Sequence, residues 1–221
     1  YLKEIGDFEG KIGECSSCKK AKSSRRAYSK LSKTEIPSVG HTIVSDVKVM
    51  RNYSLKGNRY ILTFVDRKSR LLRVYFLKKK SEVAGRTKHF VEWVKTQREN
   101  YPKNLHTDGG GEYINKDLTS FCEQHGINFE YTDAYSPQQN GIAERVNRTI
   151  VEGSSALLIQ AGLDICFWEQ AVRHFVFIKN HTPHRKLGGK RPIDEWNEEL
   201  GEEEGKGLWG LHPFGCEAEV H

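Results

Sequence analysis

An α/β fold, a mixed five-stranded sheet flanked by helices, is what the sequence predicts, and three observations predict it. Short β-type runs cluster first, with too little chain between the second and third for anything but a hairpin. Helical and β-type periodicities then alternate. The last third of the chain is helical in pattern. His41–Met50 reads as a strand through Thr42, Ile43, Val44, Val47 and Val49. Tyr60–Val65, YILTFV, is a nearly unbroken apolar run, the mark of a strand covered on both faces. Leu71–Leu77 follows after a turn at Asp66–Arg70 and so pairs antiparallel with it.

Ser81 reads as the N-cap of a helix carrying Val83, Phe90, Val91, Trp93 and Val94 to about Asn100, where Pro102 stops it. Asn104–Thr107 is a short strand, Lys116–His125 a helix ended by Gly126, and Asn128–Tyr131 a further strand. Asn140 reads as the cap of a long helix to about Gln160. After Gly162 a last helix from about Asp164 to His181 carries the stripe Phe167, Ala171, Phe175 and Ile178. This divides the chain into a short amino-terminal piece (1–18), a basic linker (19–39), a core (40–160) and a helical and acidic extension (161–221).

The 221 residues include 35 basic and 29 acidic side chains, a net charge of +6, which fits a polyanionic partner. Lys19, Lys20, Lys22, Arg25, Arg26, Lys30 and Lys33 stand without an intervening acid, a linker or a strap for a nucleic-acid backbone. Asp194 to Glu204 holds seven acids and no base, and reads as a solvated turn or linker. No apolar run approaches the length of a membrane span. The five cysteines, odd in number and mostly far apart, suit a reducing compartment, and Cys122, Cys166 and Cys216 read as buried thiols. The sequence starts at Tyr1 with its one methionine at Met50, as in a processed product or a piece of something longer.

Three carboxylates stand out by position. Asp46 lies inside the first strand, where a charge is costly to bury unpaired. Asp108 follows a strand and opens the turn Asp108-Gly109-Gly110-Gly111-Glu112. Glu144 lies near the start of the long helix. Each alone has a plain structural explanation. Together they can converge, and three converging negative charges need divalent cations. Hard oxygen donors select Mg²⁺ or Mn²⁺, and two such ions can activate attack on a phosphodiester. The glycines would let backbone approach a phosphate. Arg145 and Arg148 flank this glutamate, His106 and Glu112 read as structural, and Asp66 reads as the stabiliser of its turn.

The stretches TDGGGEY and YSPQQNGIAERVNRTI closely resemble the integrase core of copia-type long-terminal-repeat retrotransposons, relatives of retroviral integrases. The 35 residues between Asp108 and Glu144 match that family's spacing, and CSSCKKAK, FWEQAVRHFVFIKNHTPHRK and RPIDEWNEE extend the resemblance over nearly the whole chain. The resemblance implies an RNase H-like fold, a catalytic triad of Asp46, Asp108 and Glu144 holding two Mg²⁺ or Mn²⁺ ions, and joining of element-end DNA to target DNA. Asn140, Arg145, Arg148 and Tyr135 would contact DNA with the basic linker. It further implies a homo-multimer, a reverse transcriptase as polyprotein neighbour, and work in the nucleus after cytoplasmic particle assembly. Cys15 and Cys18 resemble half of a zinc site, which takes up Zn²⁺ only if ligands outside this chain complete it. Gly109, the DVKVM that follows Ser45, and Val151 depart from the family's usual residues. Two other readings share the residues: a descendant retained as a DNA-binding or scaffolding protein, and an RNase H-type nuclease.

Overall fold

Five strands build one sheet: β1 Thr42–Val49, β2 Tyr60–Asp66, β3 Leu72–Leu77, β4 Asn104–Thr107 and β5 Asn128–Tyr131. The structure, a computed structural model, describes residues 36–131, 137–198 and 211–217, without the side chains of 137–140. The strand order is β3-β2-β1-β4-β5. β1, β2 and β3 form an antiparallel meander, while β4 and β5 join parallel to β1 through helical crossovers. The short connection at residues 67–71 enforces the hairpin. Asp66 holds that turn, its carboxylate accepting from the Ser69 N–H at 2.6 Å, the Ser69 hydroxyl at 2.7 Å and the Gly40 N–H at 2.9 Å.

Helices cover both faces. On one, α1 (Val83–Arg98) and α2 (Lys116–Gln124) bring Val83, Phe90, Val91, Val94, Leu118 and Cys122 against Ile43, Leu62, Phe64 and Leu105. The rings of Phe64 and Phe90 stack at 4.0 Å. On the other, α3 (Pro137–Ala161) and α4 (Trp168–His181) bring Ile150, Leu158, Ala171, Val172 and Val176 against Ile61, Val65 and Leu72. Each such side chain withdrawn from water is worth about 1.5–3 kcal/mol. Two-sided coverage explains why β2 is apolar without alternation. A short helix α5 (Pro192–Glu198) adds Trp196, which stacks on Trp93 at 5.3 Å and belongs to the first core.

Several boundaries differ from the sequence reading. Ser81 does not cap α1. Glu82 stands at the N-cap position without a side-chain capping bond to the helix; its carboxylate reaches back to accept from the N–H groups of Lys78 at 3.0 Å and Lys79 at 2.8 Å, closing the 3-10 turn that leads into α1. Asn140 does not cap α3, which starts at Pro137; proline at the first helical position lacks only an N–H that has no intrahelical acceptor. The acidic stretch is not all linker: Asp194, Glu195 and Glu198 lie on α5, with Asp194 paired to Arg191 and Glu198 to Lys190 at 2.6 Å. Cys122 is buried, its thiol pushed up to about 11 by desolvation, but Cys166 is half-buried and Cys216 exposed. Residues 1–35, with Cys15, Cys18 and the basic run, and Tyr135 lie outside the described residues, as does the side chain of Asn140.

α3 and α4 meet closely at Gly153. A Cβ there would lie 2.0 Å from the Phe175 ring. Helix propensity alone predicts that Gly153→Ala stabilises by about 1 kcal/mol. Overpacking against Phe175 costs about 1–3 kcal/mol and outweighs it, so the variant should unfold at lower urea concentration than the wild type.

Candidate functional site

The parallel pairing of β1 with β4 places two of the acids. Thr42 pairs with Asn104, Ile43 with Leu105 and Val44 with His106. Two residues further along stand Asp46, inside β1, and Asp108, just past the carboxyl end of β4, where a parallel sheet leaves a crevice. On the antiparallel side Asp46 pairs with Thr63. Strand alternation points Asp46 toward the face covered by α3.

α3 meets this point with Asn147. The helix turns Ala143, Asn147, Ile150 and Ser154 inward, and Asn147 is 3% exposed. Its Nδ2 donates to Oδ2 of Asp46 at 2.8 Å, while its Oδ1 accepts from the Thr63 hydroxyl at 2.6 Å. The other Asp46 oxygen accepts from the Val47 N–H at 2.9 Å. Asp46 is therefore held by neutral donors at 9% exposure. Glu144 lies one turn before Asn147 and is exposed, as is Asp108.

Burial raises the Asp46 carboxyl above the ordinary carboxylate range. Asn147 and the Val47 N–H oppose that rise, and the negative charges of Asp108 and Glu144 add to it. Both other acids thus act electrostatically on the buried one. Tyr113 senses the same field. Burial lifts its hydroxyl well above the ordinary value, its hydrogen bond to Ser45 at 2.6 Å opposes this, and Asp46, Asp108 and Glu112 raise it further. Among the described residues, no three His, Cys, Asp or Glu side chains stand close enough to enclose one metal ion. The donor chemistry nevertheless fits a hard divalent cation: three carboxylates act on one end of the sheet, and the buried one has only neutral hydrogen-bond partners.

The glycine turn has a steric reason. A Cβ on Gly110 would lie 2.9 Å from the Glu112 carboxyl and 3.1 Å from Oδ1 of Asp108, an oxygen that accepts from the Gly110 N–H at 3.0 Å. Glycine lets the backbone pass between those carboxylates without displacing either. Glu112 itself is paired with Lys80 at 3.0 Å. His106 faces Glu130 on β5 at 3.1 Å rather than the acids, and burial lowers its pKa while Glu130 opposes the change. Arg145 donates through Nε to the Gly141 carbonyl at 2.6 Å, and Arg148 is exposed on the same helix. Sequence reasoning passed over Asn147, although a polar residue on the inward stripe, one turn after Glu144, was a readable signal.

Residues 37–137 match the family model described as the integrase core domain. The chain is 35% identical over 212 residues to a retrovirus-related Pol polyprotein from transposon TNT 1-94 of Nicotiana tabacum, covering 95% of this chain and 15% of that protein. Pol polyproteins from transposons RE2 and RE1 of Arabidopsis thaliana are 31% and 30% identical over 185 residues, covering 84% of this chain and 12% of each of them. The chain thus spans 12–15% of the length of these curated relatives. Among solved structures, the HTLV-2 integrase catalytic core domain in complex with magnesium, in a trimeric form, superposes with a TM-score of 0.54 at 19% identity. That likeness covers 71% of this chain and 96% of the other, and it is one of fold.

Two outcomes follow for stability. The folded-state pKa of Asp46 lies above its unfolded value, so deprotonation disfavours folding, and the penalty, absent at low pH, sets in as pH rises through the carboxylate range and persists at neutrality. Asp46→Asn should raise the melting temperature at pH 7 in metal-free buffer, with the gain shrinking toward about pH 3, where the acid is protonated in either state. Asn147→Ala strands the Asp46 carboxylate and the Thr63 hydroxyl, and urea unfolding should show a loss of about 1–3 kcal/mol.

Proposed function

This chain carries an integrase core domain, RNase H-like in fold and of the retrotransposon Pol type, and on that premise we propose that it is a polynucleotidyl transferase joining element DNA 3′ ends to target DNA at Asp46, Asp108 and Glu144. The observation that supports the reading is that Asp46 and Asp108 each follow two residues after the Val44–His106 pair of the parallel strands, and that the charges of Asp108 and Glu144 both act on the Asp46 carboxyl. These carboxylates would hold Mg²⁺ or Mn²⁺. When bound, a pair of such ions supplies the charge neutralisation and Lewis acidity that phosphodiester exchange requires.

The chain's own residues position the rest. Asn147 fixes the orientation of Asp46, so the carboxylate does not have to be ordered when substrate arrives. The Gly110 N–H does the same for Asp108, and Lys80 neutralises Glu112 nearby. Arg145 and Arg148 project from the helix that bears Glu144 and are suited to phosphates of bound DNA. Asn140, Tyr135 and the run Lys19, Lys20, Lys22, Arg25 and Arg26 extend that contact in this proposal. A homo-multimer would present two active sites to the two element ends, and the work would take place in the nucleus.

Asp108→Asn keeps the size of the side chain and its oxygen for the Gly110 N–H but removes the charge. Strand transfer with a terminal-repeat oligonucleotide and Mg²⁺ should be abolished, while DNA binding measured by anisotropy stays near the wild-type value. Retained transfer in that variant refutes the assignment.

A further inference from the structure

On the flank of α3 opposite Glu144 lies a cavity of about 230 Å³. At 100° per residue, Ile142, Val146, Thr149 and Ile150 face it, while Glu144 and Asn147 face the acids. Its floor is apolar, formed by Val65, Leu72 and Ile150 with Phe175 of α4. Its rim is basic: Arg70 comes from the β2–β3 turn, Arg145 from α3, Lys179 from α4, and Lys186 from the segment after α4. Four separate elements thus bring cations to one opening. Among the described residues none of the four is ion-paired with a carboxylate.

Arg70 is the clearest sign that the cluster is incomplete by itself. Its Nε is buried with no hydrogen-bond partner. Its φ of 64° lies in the left-handed region, unfavourable for a residue with a Cβ. Strain of this kind collects at ligand sites. The cations also repel one another. Burial and then Arg67 push the Arg70 guanidinium below its ordinary value; the Asp66 carboxylate opposes this in part, and Arg145 adds a smaller push. Arg70 is the main cause of a lowered Lys186, and burial, Arg70, Lys179 and Lys186 lower His184. A bound anion would relieve this repulsion and give the guanidinium a partner. A bare anion would leave the apolar floor wet, so a ligand that suits the whole cavity carries an uncharged planar or apolar body as well as an anionic group such as a phosphate.

We propose that this cavity binds a nucleotide, its phosphate among Arg70, Arg145, Lys179 and Lys186 and its base or sugar against Val65, Ile150 and Phe175. The nucleotide is either free or an unpaired residue of a strand; the chemistry at the cavity is shared. The site does not depend on catalysis at the acids.

Calorimetric titration of the full chain with dAMP, deoxyadenosine and inorganic phosphate tests it. dAMP should bind at least about tenfold more tightly than either of its parts. Lys186→Glu should weaken dAMP by about tenfold or more. Thr149→Trp fills the cavity from α3 without changing its charge and should erase the advantage of dAMP over phosphate. Asp108→Asn should bind dAMP as the wild type does, which separates this site from the acidic one. Displacement of dAMP by a short single-stranded oligonucleotide assigns the site to a strand, and failure to displace it assigns it to free nucleotide. dAMP binding no tighter than phosphate, or unchanged in both Lys186→Glu and Thr149→Trp, overturns the proposal.

Discussion

A carboxylate kept at 9% exposure, with two further acids acting on it, is the constraint around which the rest of this structure is arranged. A sheet interior would ordinarily exclude Asp46, since an unpaired buried charge is costly. The chain does not neutralise it with a base. Asn147 and the Val47 N–H bind it instead, satisfying its oxygens while leaving its charge in place. A lysine at the Asn147 position would cancel the negative potential that a divalent ion needs. Neutral donors preserve that potential at a cost in stability, the usual exchange between a working site and a relaxed one.

The sheet makes this arrangement geometrically exact. Because β4 runs parallel to β1, equal steps from the paired Val44 and His106 lead to Asp46, inside β1, and to Asp108, just past the end of β4. α3 covers the sheet face onto which Asp46 opens, with its inward stripe interrupted by Asn147. The same helix then serves two environments. One flank carries Glu144 toward the acids, and the other lines a cavity rimmed by Arg70, Arg145, Lys179 and Lys186. Negative and positive potentials are thus separated by the width of one helix. For a protein proposed to handle nucleic acid, such separation lets phosphates be gripped at one surface without cancelling charge at the other.

The segment beyond α3 is part of the same packing. α4 supplies much of the second core, and Trp196 of α5 closes the first against Trp93. The run Asp194–Glu198 is helical for this reason. Trp196 gains by burial, and Arg191 and Lys190 meet the flanking acids. Read as charge alone the run looks like a solvated turn; one buried tryptophan within it reverses that.

Much of this protein was written locally. The five strands follow from β-type runs such as YILTFV, the hairpin from the short turn anchored by Asp66, and the long helices from their apolar stripes, because periodicity and turn length are properties of neighbouring residues. The identity of the three notable acids was legible too, through their placement and through the resemblance carried by TDGGGEY and PQQNGIAER. What only the tertiary structure decided was which distant groups meet. Asn147 reaches Asp46 across 101 residues of chain, Glu112 turns to Lys80, and His106 turns away to Glu130. Arg70 joins Lys179 and Lys186 at one opening. Such pairings depend on sheet order and helix rotation, which are set by the burial of whole faces at once, and no window of sequence carries them.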